Sequence, residues 1–192
     1  MKRPWIIIAA VAVVVALVIG LLQTSGSDDT AGQSTAAPTP AAAERALQGS
    51  PKPLADLHAV ANQMLPIDDL DSRIKSLRGH PIVLNIWGSW CNPCREEFPI
   101  LQRVSTAEGR RVAFLGVATQ DSKENAGAFL AKHPVTYPSY MDFDGKAAKS
   151  FGAIGAPATI FFDARGRRAF FHQGKYDTDA DLKADIRRYA GA

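Results

Sequence analysis

Cys91 and Cys94 are the only cysteines in this 192-residue chain, and they lie three apart within "WGSWCNPCREEFP" (87–99). Four chemistries use a pair spaced in this way. Covalent haem attachment requires Cys-x-x-Cys-His; Arg95 follows Cys94 here, which excludes it. Structural zinc needs four ligands. His58, His80, His133 and His172 stand at no ligand-like spacing, so each reads as a surface or packing histidine and no metal is expected. A purely structural disulfide would close so short a loop that it constrains the unfolded chain little. The remaining chemistry is redox. A thiol at the start of a helix meets unpaired N–H groups and the positive end of the dipole, which favour the thiolate. A second thiol one turn along can then displace whatever the first has captured.

That chemistry needs a strand to deliver Cys91 and a helix to receive it. "PIVLNIW" (81–87) is an almost continuous apolar run with β-branched residues, the pattern of a strand covered on both faces. Pro93 suits the first turn of a following helix, whose buried stripe is Phe98, Leu101 and Val104. Pro99 removes a donor inside that helix and is expected to kink it. "RVAFLGVA" (111–118) reads as a second buried strand, parallel to the first across a right-handed crossover. A helix is expected over 122–133 with Ser122 as its cap. "PATIFF" and "RAFFH" flank "DARGR", a hairpin turning at Gly166. The last helix is capped by Thr178 and turns Leu182, Ile186 and Tyr189 inward. "LADLHAVANQML" (54–65) has helical spacing and leads into the domain. The sum is one α/β domain over 54–192, of a size suited to a single core.

The ends of the chain differ from this body. Trp5 to Leu22 carries no charge, follows Lys2 and Arg3, and as a helix of 18 residues would span about 27 Å, close to the hydrocarbon thickness of a bilayer. The expectation is a cytoplasmic N-terminus (1–4), an uncleaved transmembrane anchor (5–22), with a cleaved signal peptide as the rival reading, and on either reading an extracytoplasmic body. Residues 23–53 are rich in Ala, Ser, Thr, Gly and Pro and read as a flexible tether. The formal charge is +3, with both signs interspersed, so there is no basic footprint for nucleic acid.

"WCNPC" at a strand–helix junction resembles the active site of the thioredoxin superfamily. "VLNIWGSWCNPCREEFP" (83–99) is similar to its membrane-anchored branch, the TlpA/ResA-like thiol-disulfide oxidoreductases, over about residues 65–190. The resemblance implies a thioredoxin-like fold: a central mixed sheet flanked by helices, with a β/α insertion around 119–144. Two positions depart from cytosolic thioredoxin. Asn85 stands where thioredoxin has a buried carboxylate on the strand. Glu97, three residues after Cys94, matches a glutamate of the ResA-like proteins and, on the same helix face, would sit partly buried with a raised pKa and either deprotonate the resolving thiol or tune both cysteines. Glu96 is its exposed neighbour. Pro157 in "GAPATIFF" matches the superfamily's cis-proline, which exposes the backbone of Ala156 to a substrate strand. Trp87 and Trp90 pack around the site. Trp90, Asn92, Pro93, Ala156 and Pro157 make the expected substrate-facing surface, with Asn92 the tuning position and Pro93 fixing the turn.

What the resemblance implies for function is reduction of protein disulfides outside the cytoplasm, with a role in cytochrome c maturation. Apocytochrome c would be a substrate, a membrane thiol-relay protein the electron donor, and the dithiol itself the only redox group, with no cofactor. Two alternatives stay open on the residues. One is an oxidase that introduces disulfides, since direction depends on reduction potential. The other is a tethered, non-catalytic peptide-binding module with inert cysteines.

Overall fold

Runs of β-branched and aromatic residues, punctuated by caps and turns, give six strands and seven α-helices among residues 36–191, the part of the chain that the computed structural model describes. In chain order these are α1 (Pro40–Leu47), α2 (Lys52–His58), β1 (Met64–Pro66), α3 (Leu70–Ser76), β2 (Ile82–Trp87), α4 (Asn92–Glu108), β3 (Ala113–Thr119), α5 (Lys123–Lys132), β4 (Ser139–Asp142), α6 (Lys146–Ser150), β5 (Ala158–Phe162), β6 (Arg168–Gln173) and α7 (Asp179–Asp185). A 3₁₀ turn (Ile67–Asp69) precedes α3, and a π-helical segment (Ile186–Ala190) follows α7.

The strands form one mixed sheet in the order β1-β4-β3-β2-β5-β6. The first four are parallel neighbours, and β5 and β6 add antiparallel. β2, the central strand that carries the cysteines, is buried at all six residues, as a strand packed on both faces must be. Its side chains alternate. Ile82, Leu84 and Ile86 join Leu54, Leu57, Leu70 and Leu77 beneath α2 and α3. Val83 and Trp87 join Phe98, Leu101, Val104 and Phe129 of α4 and α5. β3 runs so close to β4 that a Cβ on Gly116 would lie 2.2 Å from Ser139 Oγ and 2.9 Å from Trp87 Nε1, so only glycine fits at that register. Gly166 turns the β5–β6 hairpin at φ 77°.

Ser122 and Thr178 cap α5 and α7 as expected, their hydroxyls accepting from Asn125 N and Asp181 N at 3.1 Å each. α4 runs through Pro99 as one continuous helix. Two expectations need correction. The helix expected over 54–65 ends at His58, and Met64 belongs instead to β1, where it pairs with Ser139. Long-range pairing along β4 outweighs the helical spacing of its apolar residues. The tether expected over 23–53 is, in its described part, largely helical and joined to the domain. Thr39 caps α1, alanines supply its propensity, and Leu47 is buried against Gly109 at the end of α4. His58 ties the same corner together, its ring nitrogens facing Thr136 O at 2.9 Å and Gly109 O at 3.1 Å. The segments expected at 1–4 and 5–22 lie outside the described residues. Among the described ones no helix is long and apolar enough to cross a membrane.

Candidate active site

β2 ends at Trp87, and four residues later Cys91 occupies the N-cap of α4 with extended backbone (φ −89°, ψ 109°). Its Sγ accepts a hydrogen bond from the backbone N–H of Cys94 at 3.1 Å, so sulfur takes the place that a serine or aspartate oxygen fills in an ordinary cap. Cys91 and Cys94 are joined by a disulfide with S–S 2.01 Å. Cys94 is fully enclosed, and Cys91 is only 3% exposed. Asn92 and Pro93 between them are exposed.

The loop before Cys91 is held from across the sheet. Asp121, at the end of β3, accepts from Ser89 N at 2.6 Å and from Ser89 Oγ at 3.0 Å, while also accepting from Ser122 N at the start of α5. Arg95 on α4 donates to Ser89 O at 3.1 Å. Trp90 is 52% exposed and donates its indole N–H to Thr119 O. Trp87 packs inward against Phe98 and Phe129 and donates to Ser139 Oγ at 3.1 Å. The sequence gives no local sign of the Asp121–Ser89 tie, because its partners are 32 residues apart.

Glu97 is completely buried, on the same face of α4 as Cys94. Its Oε1 accepts from Tyr176 N at 3.0 Å and its Oε2 from Asn85 Nδ2 at 3.2 Å. Burial pushes its pKa up to about 7 from 4.5, against the opposing pull of those two hydrogen bonds and of Lys175. A carboxyl so placed exchanges a proton near neutrality, as a general base for a thiol must. Glu96 faces solvent and pairs with Lys175 at 3.2 Å. Tyr137 is buried nearby with its hydroxyl unpartnered, and enclosure together with the charge on Glu97 holds its pKa well above the usual tyrosine range.

The peptide bond between Ala156 and Pro157 is cis. β2 pairs with β5 so that Ile86 lies opposite Ala158, which brings that bond to the end of the sheet where the chain leaves β2 for the cysteines. Ala156, partly exposed, packs against the cluster that contains Cys91 and Cys94. The fold thus gathers all the residues singled out in the sequence at one end of the sheet. Cys91, Cys94 and Glu97 are enclosed, Trp90, Asn92 and Pro93 are exposed, Ala156 is partly exposed, and Pro157 is buried. Among the described residues no three of His, Cys, Asp and Glu converge as a metal-ligand set.

Known proteins resemble this arrangement along most of its length. The chain is 33% identical over 132 residues to the thiol:disulfide interchange protein DsbE of Xylella fastidiosa (strain 9a5c), a match covering 68% of this chain and 64%, less than two thirds, of that protein. It is 31% identical over 180 residues to DsbE of Escherichia coli (strain K12), covering 91% of this chain and 87% of that one. Among solved structures, MTB dsbF in its mixed oxidized and reduced forms superposes with a TM-score of 0.55 at 31% identity, over 59% of this chain and 84% of that one. Residues 58–167, from the end of α2 to the β5–β6 turn, match the AhpC/TSA family. With a cysteine-capped helix, a cis-proline opposite it and relatives of this kind, the chain belongs to the AhpC/TSA family of thioredoxin-like proteins.

Proposed function

We propose that this protein is a thiol-disulfide oxidoreductase that reduces disulfides in extracytoplasmic proteins through Cys91 and Cys94. The observation that carries the reading is Cys91 as the N-cap of a long helix, its sulfur already accepting a backbone N–H, with buried Glu97 on the helix face behind Cys94. In the reduced protein the Cys91 thiolate attacks a substrate disulfide, forming a mixed disulfide and releasing one substrate sulfur. Glu97 takes the proton of Cys94. The Cys94 thiolate then attacks Cys91 Sγ, closing the disulfide and expelling the second substrate sulfur as a thiolate. The enzyme's dithiol is oxidised by two electrons and the substrate disulfide is reduced. Trp90, Asn92, Pro93, Ala156 and Pro157 form the surface against which the substrate lies, and the pair needs no further cofactor.

The DsbE name of the relatives supports interchange of protein disulfides. The uncharged run 5–22 supports a membrane-anchored protein whose body lies outside the cytoplasm. On that reading the electron donor is a membrane thiol-relay protein, and apocytochrome c, whose haem-accepting cysteines must stay reduced, is a substrate. Cys91→Ser should abolish exchange with a protein disulfide, and retained exchange refutes the assignment. Equilibration with glutathione fixes the direction: a potential in the range of strong oxidants would make the protein a disulfide-forming oxidase. Cys94→Ala should freeze mixed disulfides with true substrates, which mass spectrometry then names.

A further inference from the structure

Asn85 sits in the middle of β2, 1% exposed, and points into the layer between sheet and α4. Its Nδ2 donates to Glu97 Oε2 at 3.2 Å and to Thr159 Oγ1 at 3.4 Å. Its Oδ1 is buried and has no hydrogen-bond partner. A buried amide oxygen left in that condition is costly, so the arrangement calls for an explanation.

The explanation lies in what Glu97 needs in each protonation state. An ionised carboxylate only accepts, and the amide N–H serves it. A protonated carboxyl must place an O–H, and enclosure leaves it few acceptors. Oε1 is already taken up by Tyr176 N. Half a turn of the Asn85 side chain about its last torsion presents Oδ1 instead of Nδ2. Oδ1 then accepts from the Glu97 O–H, and Thr159, whose hydroxyl can donate as well as accept, supplies a second bond to the same oxygen. The orphan becomes Nδ2. Each orientation leaves one amide atom unpartnered, so neither is favoured by the amide alone, and the proton on Glu97 decides.

We propose that Asn85 is a positioning residue that turns its side-chain amide with each proton Glu97 gains or loses, keeping that carboxyl hydrogen-bonded in both states of the resolving step. The proposal rests on the reading of Cys91 and Cys94 as the redox pair. In that step the proton leaves Cys94 Sγ for Glu97, the Cys94–Cys91 bond forms, the Cys91–substrate bond breaks, and the electron pair departs with the substrate sulfur. The amide makes and loses no covalent bond. It holds the two forms of Glu97 close enough in free energy for the proton to pass in either direction. The other titratable groups facing Glu97 are Cys94 on its own helix, Lys175 and Tyr176 from the segment before α7, and Tyr137 from the segment before β4. Lys175 is engaged by Glu96 and Asp177, and Tyr176 donates its hydroxyl to Asp185.

Two measurements on the full chain test this. The first follows the Asn85 side-chain amide resonances of the isotope-labelled oxidised protein from about pH 5 to about pH 9. They should shift in a single transition at the pH where Glu97 titrates, near 7, and stay flat in Glu97→Gln. An Asn85 amide that stays flat in the wild type overturns the proposal. The second records the rate of reaction with oxidised glutathione against pH in the wild type and in Asn85→Leu, which fills the space without hydrogen bonding. An amide that turns serves both forms of Glu97, so its loss should slow the reaction and leave the inflection of the profile in place; an inflection raised by about one pH unit in a folded variant, as for an amide that donates to the carboxylate alone, overturns the proposal. Should Asn85→Leu fail to fold, the amide titration decides alone. A wild type that titrates as expected yet never reacts with a disulfide would sink the redox reading and leave the amide switch standing.

Discussion

The two faces of the central sheet are made by the same strands and do different work. On one, Ile82, Leu84, Ile86, Ala113, Leu115, Val117 and Ile160 form a hydrocarbon layer closed by Leu54, Leu57, Leu70 and Leu77. On the other, aromatic and aliphatic side chains surround a buried polar cluster of Asn85, Glu97 and Thr159, with the disulfide at its end. Side chains one residue apart on β2 therefore lie in opposite regimes. The first face stabilises by removing apolar area from water. The second gives up part of that stabilisation to hold a carboxyl whose charge is disfavoured by its surroundings. A thermodynamically neutral protein would have put a hydrocarbon at position 97.

If the faces are separable, mutations on them should separate stability from pH response. The largest effect belongs to the hydrocarbon face: Leu84→Ala should cost about 2–5 kcal/mol by denaturant unfolding, with the inflection of the rate profile unmoved. A shifted inflection would mean that the faces are coupled. Next comes Glu97→Gln. The folded-state pKa of Glu97 is raised from 4.5 to about 7, so between those values the folded protein binds more protons than the unfolded one. The contribution is fully present below 4.5 and is lost as pH rises through 7. Stability of the oxidised wild type should thus fall across that window by roughly 3 kcal/mol, and Glu97→Gln should flatten the fall, becoming the more stable protein above it. Thermal unfolding at several pH values checks this; an equally steep fall in the variant contradicts it. A smaller loss, about 1 kcal/mol, is expected from Thr178→Ala, which removes the cap of α7. If Thr178→Ala also moves the rate profile, the Tyr176 N–H is positioned for Glu97 through that helix. The smallest effect is reserved for the surface. Lys52 and Asp56 pair at 2.9 Å while mostly exposed, and Lys52→Ala should change neither stability nor rate measurably.

Much of this division was visible in the chain itself, for reasons of range. The buried strand at 81–87, the caps Ser122 and Thr178 and the hairpin turn at Gly166 announce themselves within a few residues, because an unbroken apolar run, capping and positive φ are local properties. The cysteines and Glu97 share one helix and three-residue intervals, so their common face also follows from spacing. What escaped depends on distant partners. β1 exists because Met64–Pro66 lies along β4, some 75 residues on. Tyr176 reaches Glu97 across a separation of 79. α1 was hidden by its own composition: the alanines and prolines that suggest a tether also make a short helix, and the single buried Leu47 is too small a signal to reveal it.

One edge of the sheet has a consequence for how another polypeptide could pair with it. β1 is three residues long and ends in Pro66, opposite Met141, so that border presents few free amides and none at its last position. A polypeptide cannot readily zip onto it as a seventh ribbon. An approach end-on, at the rim where the helix begins, meets exposed Trp90, Asn92 and Pro93 around a sulfur that is itself only 3% exposed.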